Sequence, residues 1–182
     1  SFDLRIPGSH QVTNALAAAA VGDQCGIPLC EAAEALGELE PPAMRSQILR
    51  KNGISVINDC YNANPASVRA ALDLLRDMRV DGERVAVLGD MLELGAESAE
   101  LHAEVGDYAA SRVQRLLALG THSEHTANAA EVAGLPAQHY RDFDSLIRDL
   151  RAHVQVGDAV LVKASRSVAF EGVVEALTDD EA

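Results

Sequence analysis

The stretch ISVINDCYNANPAS, residues 54–67, runs from an apolar segment straight into a carboxylate, a tyrosine, amides and a proline. Ile54, Val56 and Ile57 suit a short buried strand, because β-branched side chains pack well on a pleated surface. The pattern returns in RVAVLGD (84–90), RLLALGTH (115–122) and DAVLVKAS (158–165), each an aliphatic run closed by polar residues. Between these runs lie PASVRAALDLLRDM (65–78), SAELHAEVGDYAASR (98–112), TANAAEVAGL (126–135) and DFDSLIRDLRAHV (142–154), all readable as amphipathic helices. Near-continuous apolar strands alternating with helices specify a parallel sheet covered on both faces. About residues 43–182 are therefore expected to form a doubly wound, mainly parallel α/β domain. A further short strand is expected near AQHYRD (137–142).

Upstream the period is different. In QVTNALAAAAVG (11–22), Val12, Ala15, Leu16, Ala19 and Ala20 recur at helical spacing, and their small size favours close packing against another element. IPLCEAAEALGEL (27–39) continues as a second helix, with Pro28 tolerated in its first turn. The double proline of EPPAM (40–44) then disfavours helix and reads as a linker or boundary.

Composition narrows the function. With 182 residues, 48% hydrophobic and 24% charged, the chain can bury a sizeable core, and with only 3% aromatic residues that core is aliphatic. A net charge of −13 repels phosphate backbones and anionic lipid, which argues against nucleic-acid and membrane-surface partners and for small molecules or proteins. No apolar run reaches the roughly 18 residues of a spanning helix, and no charged-then-apolar export signal opens the chain, so a cytosolic protein is expected. Cys25, Cys30 and Cys60 are odd in number and lack CxxC spacing, which points to reduced, mostly packed thiols. The chain begins at Ser1 in mid-pattern, as a piece of a longer protein would.

In a doubly wound sheet, ligands bind beyond the carboxyl ends of the strands. Asp59, Asn62 and Asn64 fall there, as do Asp90, Thr121, His122, Lys163, Ser165 and Arg166. Each also has a plainer reading. Asn64 before Pro65 is a natural helix N-cap. Asp59 at a strand end either serves the backbone or accepts from a ribose hydroxyl. Lys163 and Ser165 offer a cation and a hydroxyl to a carboxylate, or else are solvated surface groups. Asp90 and Glu93 in LGDMLELG (88–95) read as turn chemistry before metal ligation. His122 and His125 are too few for a metal site, and His102 reads as a packing or surface histidine. Neither GxGxxG nor GxxxxGK[ST] occurs, so dinucleotide binding and P-loop chemistry find no support in these residues.

Four stretches in order, IPGSHQVTNALAAAA (6–20), MRSQ (44–47), INDCYNANPAS (57–67) with VLGDMLELG (87–95) and His102, and VLVKASRS (160–167), resemble the C-terminal part of the Mur ligases. DCYNANP (59–65) is similar to the branch that joins D-Ala-D-Ala to a UDP-N-acetylmuramoyl-tripeptide in bacterial peptidoglycan synthesis. The resemblance implies that residues 1–41 are the mostly helical tail of a central ATPase domain, and that residues 42–182 are a Rossmann-like ligase domain. It implies ATP and Mg2+, the latter held mainly by parts outside this chain, with the rest of the ligase as partner, in the bacterial cytoplasm. On that template Asn14 would contact adenine, Arg45 the nucleotide phosphates and Asp59 the ribose. Asn62, Asn64, Lys163 and Ser165 would surround the dipeptide, with the cation and hydroxyl toward its carboxylate, and Tyr61 would shape the loop. No catalytic residue and no metal ligand is assigned, and this chain alone is expected to be inactive. Gln11 and Ala164 depart from the family's usual asparagine and glycine, and Ala164 raises the question whether the backbone there needs a positive φ. Two other expectations compete: a non-catalytic binding module of the same fold, and a Mur-type ligase for a different amino acid.

Overall fold

The computed structural model describes residues 2–179. Two helices, α1 (Ser9–Gln24) and α2 (Leu29–Glu38), precede the sheet. The sheet is built from β1 (Gln47–Lys51), β2 (Ile54–Asn58), β3 (Arg84–Gly89), β4 (Arg115–Leu119), β5 (Ala137–Tyr140) and β6 (Ala159–Lys163). Its helices are α3 (Pro65–Asp77), α4 (Ser98–Ala109), α5 (Ser123–Val132), α6 (Phe143–His153) and α7 (Glu171–Thr178).

The strand order is β1-β2-β6-β3-β4-β5, parallel throughout except for β1. The chain moves outward through β3, β4 and β5, then returns to insert β6 between β2 and β3. Alternation along each strand feeds two cores. Ile57, Ala86, Leu88 and Leu161 pack with Val68, Leu72, Val105 and others beneath α3, α4 and α5. Val56, Val85, Val87, Val160 and Val162 pack with Leu146, Leu150, Phe170 and Val173 beneath α6 and α7. The doubly wound, mainly parallel expectation holds on both faces, and the short strand near residue 137 is present.

Four elements differ from the sequence reading. β1 was not anticipated. It pairs antiparallel with β2 through a two-residue turn in which Asn52 and Gly53 have φ of 52° and 76°, the left-handed pair that hairpin twist demands. α7 was also not anticipated, and α5 begins three residues before the expected helix. Pro28 lies at the N-cap of α2, one position ahead of its first turn.

The packing expected of α1 is only partly present. Ala15 is its one buried residue, while Val12, Leu16 and Val21 are more than half exposed among the described residues. The thiols also correct the expectation: Cys60 is buried, but Cys25 and Cys30 are exposed, and all three are free. Burial, with the Glu171 and Asp59 carboxylates nearby, pushes the Cys60 thiol up to about 12. Among the described residues no helix is long and apolar enough to cross a membrane.

Candidate functional site

Because β6 enters between β2 and β3, the loops after these three strands meet at one edge of the sheet. At their centre is a buried ion pair. The Lys163 ammonium, 2% exposed, lies 2.6 Å from Asp59 Oδ2 and donates to the Asn62 carbonyl at 2.7 Å. The Ser46 amide donates to the other Asp59 oxygen at 2.8 Å. Asp59 thus holds together the β6 end and the segment before β1.

That segment is bent sharply. Met44 and Ser46 have φ of 62° and 50°, left-handed values that side chains other than glycine adopt at a cost. The bend presents Arg45, whose guanidinium stacks 3.9 Å from the Tyr61 ring centroid, while the Tyr61 amide donates to the Met44 carbonyl. Opposite, on α1, Asn14 donates its side-chain amide to Gln11 Oε1 at 2.9 Å. Gln11 therefore supplies the amide oxygen that orients Asn14.

Asn14, Arg45, Asp59, Tyr61, Asn62, Asn64 and Lys163 all line one cleft of about 270 Å3. Seven of the eight residues singled out in the sequence are therefore neighbours, although they span 150 positions of the chain. The eighth, Ser165, lines an adjoining cleft of about 450 Å3 that shares Tyr61 and Asn62 and adds Leu92, Glu93, Arg166 and Ser167.

Several of these side chains have partners within the protein. Lys163 faces Asp59 and a carbonyl, so its charge is already matched. Ser165 is buried, and its hydroxyl accepts from the Leu92 amide at 2.9 Å, tying the loop after β3 to the β6 end. Asn64 caps α3: its side chain accepts from the Ser67 amide at 2.9 Å and the Ser67 hydroxyl accepts from the Asn64 amide at 3.0 Å. Asn62 is exposed, and its side-chain oxygen accepts from the Ala63 amide at 2.8 Å.

The loop after β3 is anchored by Asp90 and His102. Asp90 accepts from the amides of Thr121, His122 and Ser123 and from the Ser123 hydroxyl. Burial opposes its ionisation, but these hydrogen bonds outweigh it and hold the carboxyl below the usual range. His102 is fully buried; its Nε2 accepts from the Met91 amide at 3.0 Å and its Nδ1 lies 2.7 Å from the Ser98 carbonyl. This places the proton on Nδ1, and burial holds the ring's pKa below the ordinary imidazole value. Among the described residues, no three His, Cys, Asp or Glu side chains are grouped so that they could hold a metal ion.

Ala164 is fully buried with no positive φ, and its Cβ packs into the core beside Gly89 and Phe170. The Ala164 methyl group thus points into the protein interior and lines neither cleft.

A family profile described as "Mur ligase, glutamate ligase domain" matches residues 44–166, about two thirds of the chain. The chain belongs to the Mur ligase family. Among curated relatives of this family, the UDP-N-acetylmuramoyl-tripeptide:D-alanyl-D-alanine ligase of Escherichia coli is 38% identical over 97% of this chain and 39% of its own length. The Bacillus subtilis ligase of the same name is 34% identical over 98% of this chain and 40% of its own length. The chain thus spans about 40% of the length of these relatives, their C-terminal part. Among solved structures, MurF from Acinetobacter baumannii superposes with a TM-score of 0.85 at 28% identity, covering 97% of this chain and 39% of its own. MurF from Thermotoga maritima, in complex with ADP, superposes with a TM-score of 0.77 at 27% identity, covering 93% and 38%. Within the Mur ligase fold, then, both clefts lie where the parallel strands end.

Proposed function

We propose that this chain is the C-terminal part of an ATP-dependent Mur ligase that joins D-Ala-D-Ala to a UDP-N-acetylmuramoyl-tripeptide in the bacterial cytoplasm. Residues 1–41 belong to the end of the ATPase domain and residues 42–182 form the ligase domain. The observation that carries this reading is the convergence of Asn14, Arg45, Asp59 and Tyr61 on one cleft.

The donor set fits a nucleotide. The Asn14 amide is oriented by Gln11 for a base edge, and Arg45, held flat on Tyr61, offers planar donors to phosphate oxygens. Asp59 binds one amide and one ammonium, and a carboxylate has about four acceptor sites, so it keeps capacity for a ribose hydroxyl. ATP phosphorylates the tripeptide's terminal carboxylate. The dipeptide amine, its ammonium proton given up to solvent, then attacks the carbonyl carbon of the acyl phosphate, and the tetrahedral intermediate collapses with release of inorganic phosphate and a second N–H proton. Neutralisation of phosphate charge would be supplied by Mg2+, which residues of the upstream ATPase domain would mainly hold. This chain's part is to position the nucleotide's base and ribose end and to bring up the acceptor, which raises the effective concentration of the amine.

The test is phosphate release by the full-length protein. Release that requires ATP, the UDP-linked tripeptide and D-Ala-D-Ala together is the expected result. Equal release with another amino acid in place of the dipeptide would refute the substrate assignment. ATP turnover by the 182-residue chain alone would refute an upstream location of the phosphate machinery.

A further inference from the structure

The second cleft carries two charged side chains of opposite sign, Arg166 and Glu93. We propose that it is a clamp for a zwitterion, with Arg166 binding the carboxylate of the incoming dipeptide and Glu93 its ammonium group. This inference rests on the ligase reading above and names residues that reading did not.

Lys163 and Ser165 are buried as well as bound to internal partners. Arg166 is different. Its side chain is 55% exposed, and one nitrogen, Nη1, pairs with Glu171 Oε1 at the start of α7. A guanidinium has five N–H donors in a rigid fork, so this single contact orients the group and leaves donors for a bidentate carboxylate. Glu171 aims Arg166; it does not consume it.

Glu93 is the complementary group. Among the described residues its exposed side chain has no hydrogen-bond or ion-pair partner, and its backbone is left-handed at φ 64°. The two preceding residues are tied down, the Met91 amide to His102 and the Leu92 amide to Ser165. An unpaired carboxylate held in a costly backbone conformation over a cleft fits a role in binding. Leu92 and Tyr61, both partly exposed in the same cleft, offer apolar surface to methyl side chains. A ligand lacking either charge leaves one wall of the cleft unmatched, which is a basis for specificity.

The experiment uses the full-length protein with three probes: D-Ala-D-Ala, its C-terminal amide and its N-acetyl derivative. Binding is measured by calorimetry, and KM for dipeptide and for ATP by phosphate release. Wild type is expected to prefer the free dipeptide over either derivative by about 10- to 100-fold, the range for a lost charge-assisted contact. Arg166→Met should raise the dipeptide KM about 10- to 100-fold and abolish discrimination against the amide, with the ATP KM within about twofold of wild type. Arg166→Lys should recover part of the loss. Glu93→Gln should abolish discrimination against the N-acetyl form. Unchanged dipeptide KM in both charge-removing variants, with turnover intact, would overturn the clamp and leave the ligase reading standing. Clamp-dependent dipeptide binding without turnover would overturn the ligase reading instead. Circular dichroism of each variant separates loss of binding from loss of fold.

Discussion

Replacing Lys163 by methionine removes the buried ammonium that joins Asp59 to the Asn62 carbonyl. Two short contacts are lost, at 2.6 and 2.7 Å, and among the described residues the Asp59 carboxylate, whose side chain is 13% exposed, keeps only the Ser46 amide. Breaking one partner of a buried pair costs about 3–5 kcal/mol, because the remaining charge is stranded. For a domain of this size each kcal/mol lowers the melting temperature by about 2–4 °C, so a fall of about 6–20 °C is expected in a thermal scan. The pair should behave as a unit. Asp59→Asn strands the ammonium, but the double variant Asp59→Asn with Lys163→Met strands neither charge. Its cost should fall below the sum of the single variants by at least about 2 kcal/mol in urea unfolding. A Lys163→Met variant within about 1 kcal/mol of wild type, or strictly additive single variants, would refute the reasoning.

His102 is held neutral, so below about pH 6.5 the unfolded chain takes up a proton that the folded ring resists, and stability falls as pH drops from that value toward the lower folded pKa. His102→Leu should remove this part of the pH dependence in urea titrations between pH 8 and 5, and should cost about 1–3 kcal/mol at pH 7.5 by leaving the Met91 amide unpaired. Gly89→Ala would bring a Cβ to 2.7 Å from both the Ala164 Cβ and the Phe170 ring, and calorimetric unfolding should report a loss of about 1–3 kcal/mol. Asn64→Ala should cost about 1 kcal/mol by removing the α3 cap, whereas Asn64→Ser, which keeps a capping oxygen, should unfold near the wild-type midpoint.

Much of this protein was legible from local pattern. The runs at 54, 84, 115 and 158 became strands because near-continuous apolar segments have no stable place except inside a covered parallel sheet. The hairpin of β1 and β2 carried its signal in Asn52-Gly53, but QILRK has only two apolar residues and ends in two cations, so no strand periodicity marked it. The C-terminal helix α7 likewise follows a left-handed residue, Ala169, that no local signal marks.

Residue identities by themselves determined the class of fold and the sheet edge that gathers the strand-end polar residues, because hydrophobic periodicity and strand-end polarity are local properties; Asn14, Arg45 and Tyr61 were added only by the family resemblance. Their partners were decided only in three dimensions. The return of the last strand to a place between β2 and β3 sets Lys163 against Asp59, Ser165 against Leu92, and Arg166 in a cleft with Glu93. A charge meets its counter-charge across the sheet, over 104 residues of chain in the case of Lys163 and Asp59, and only strand order sets that distance.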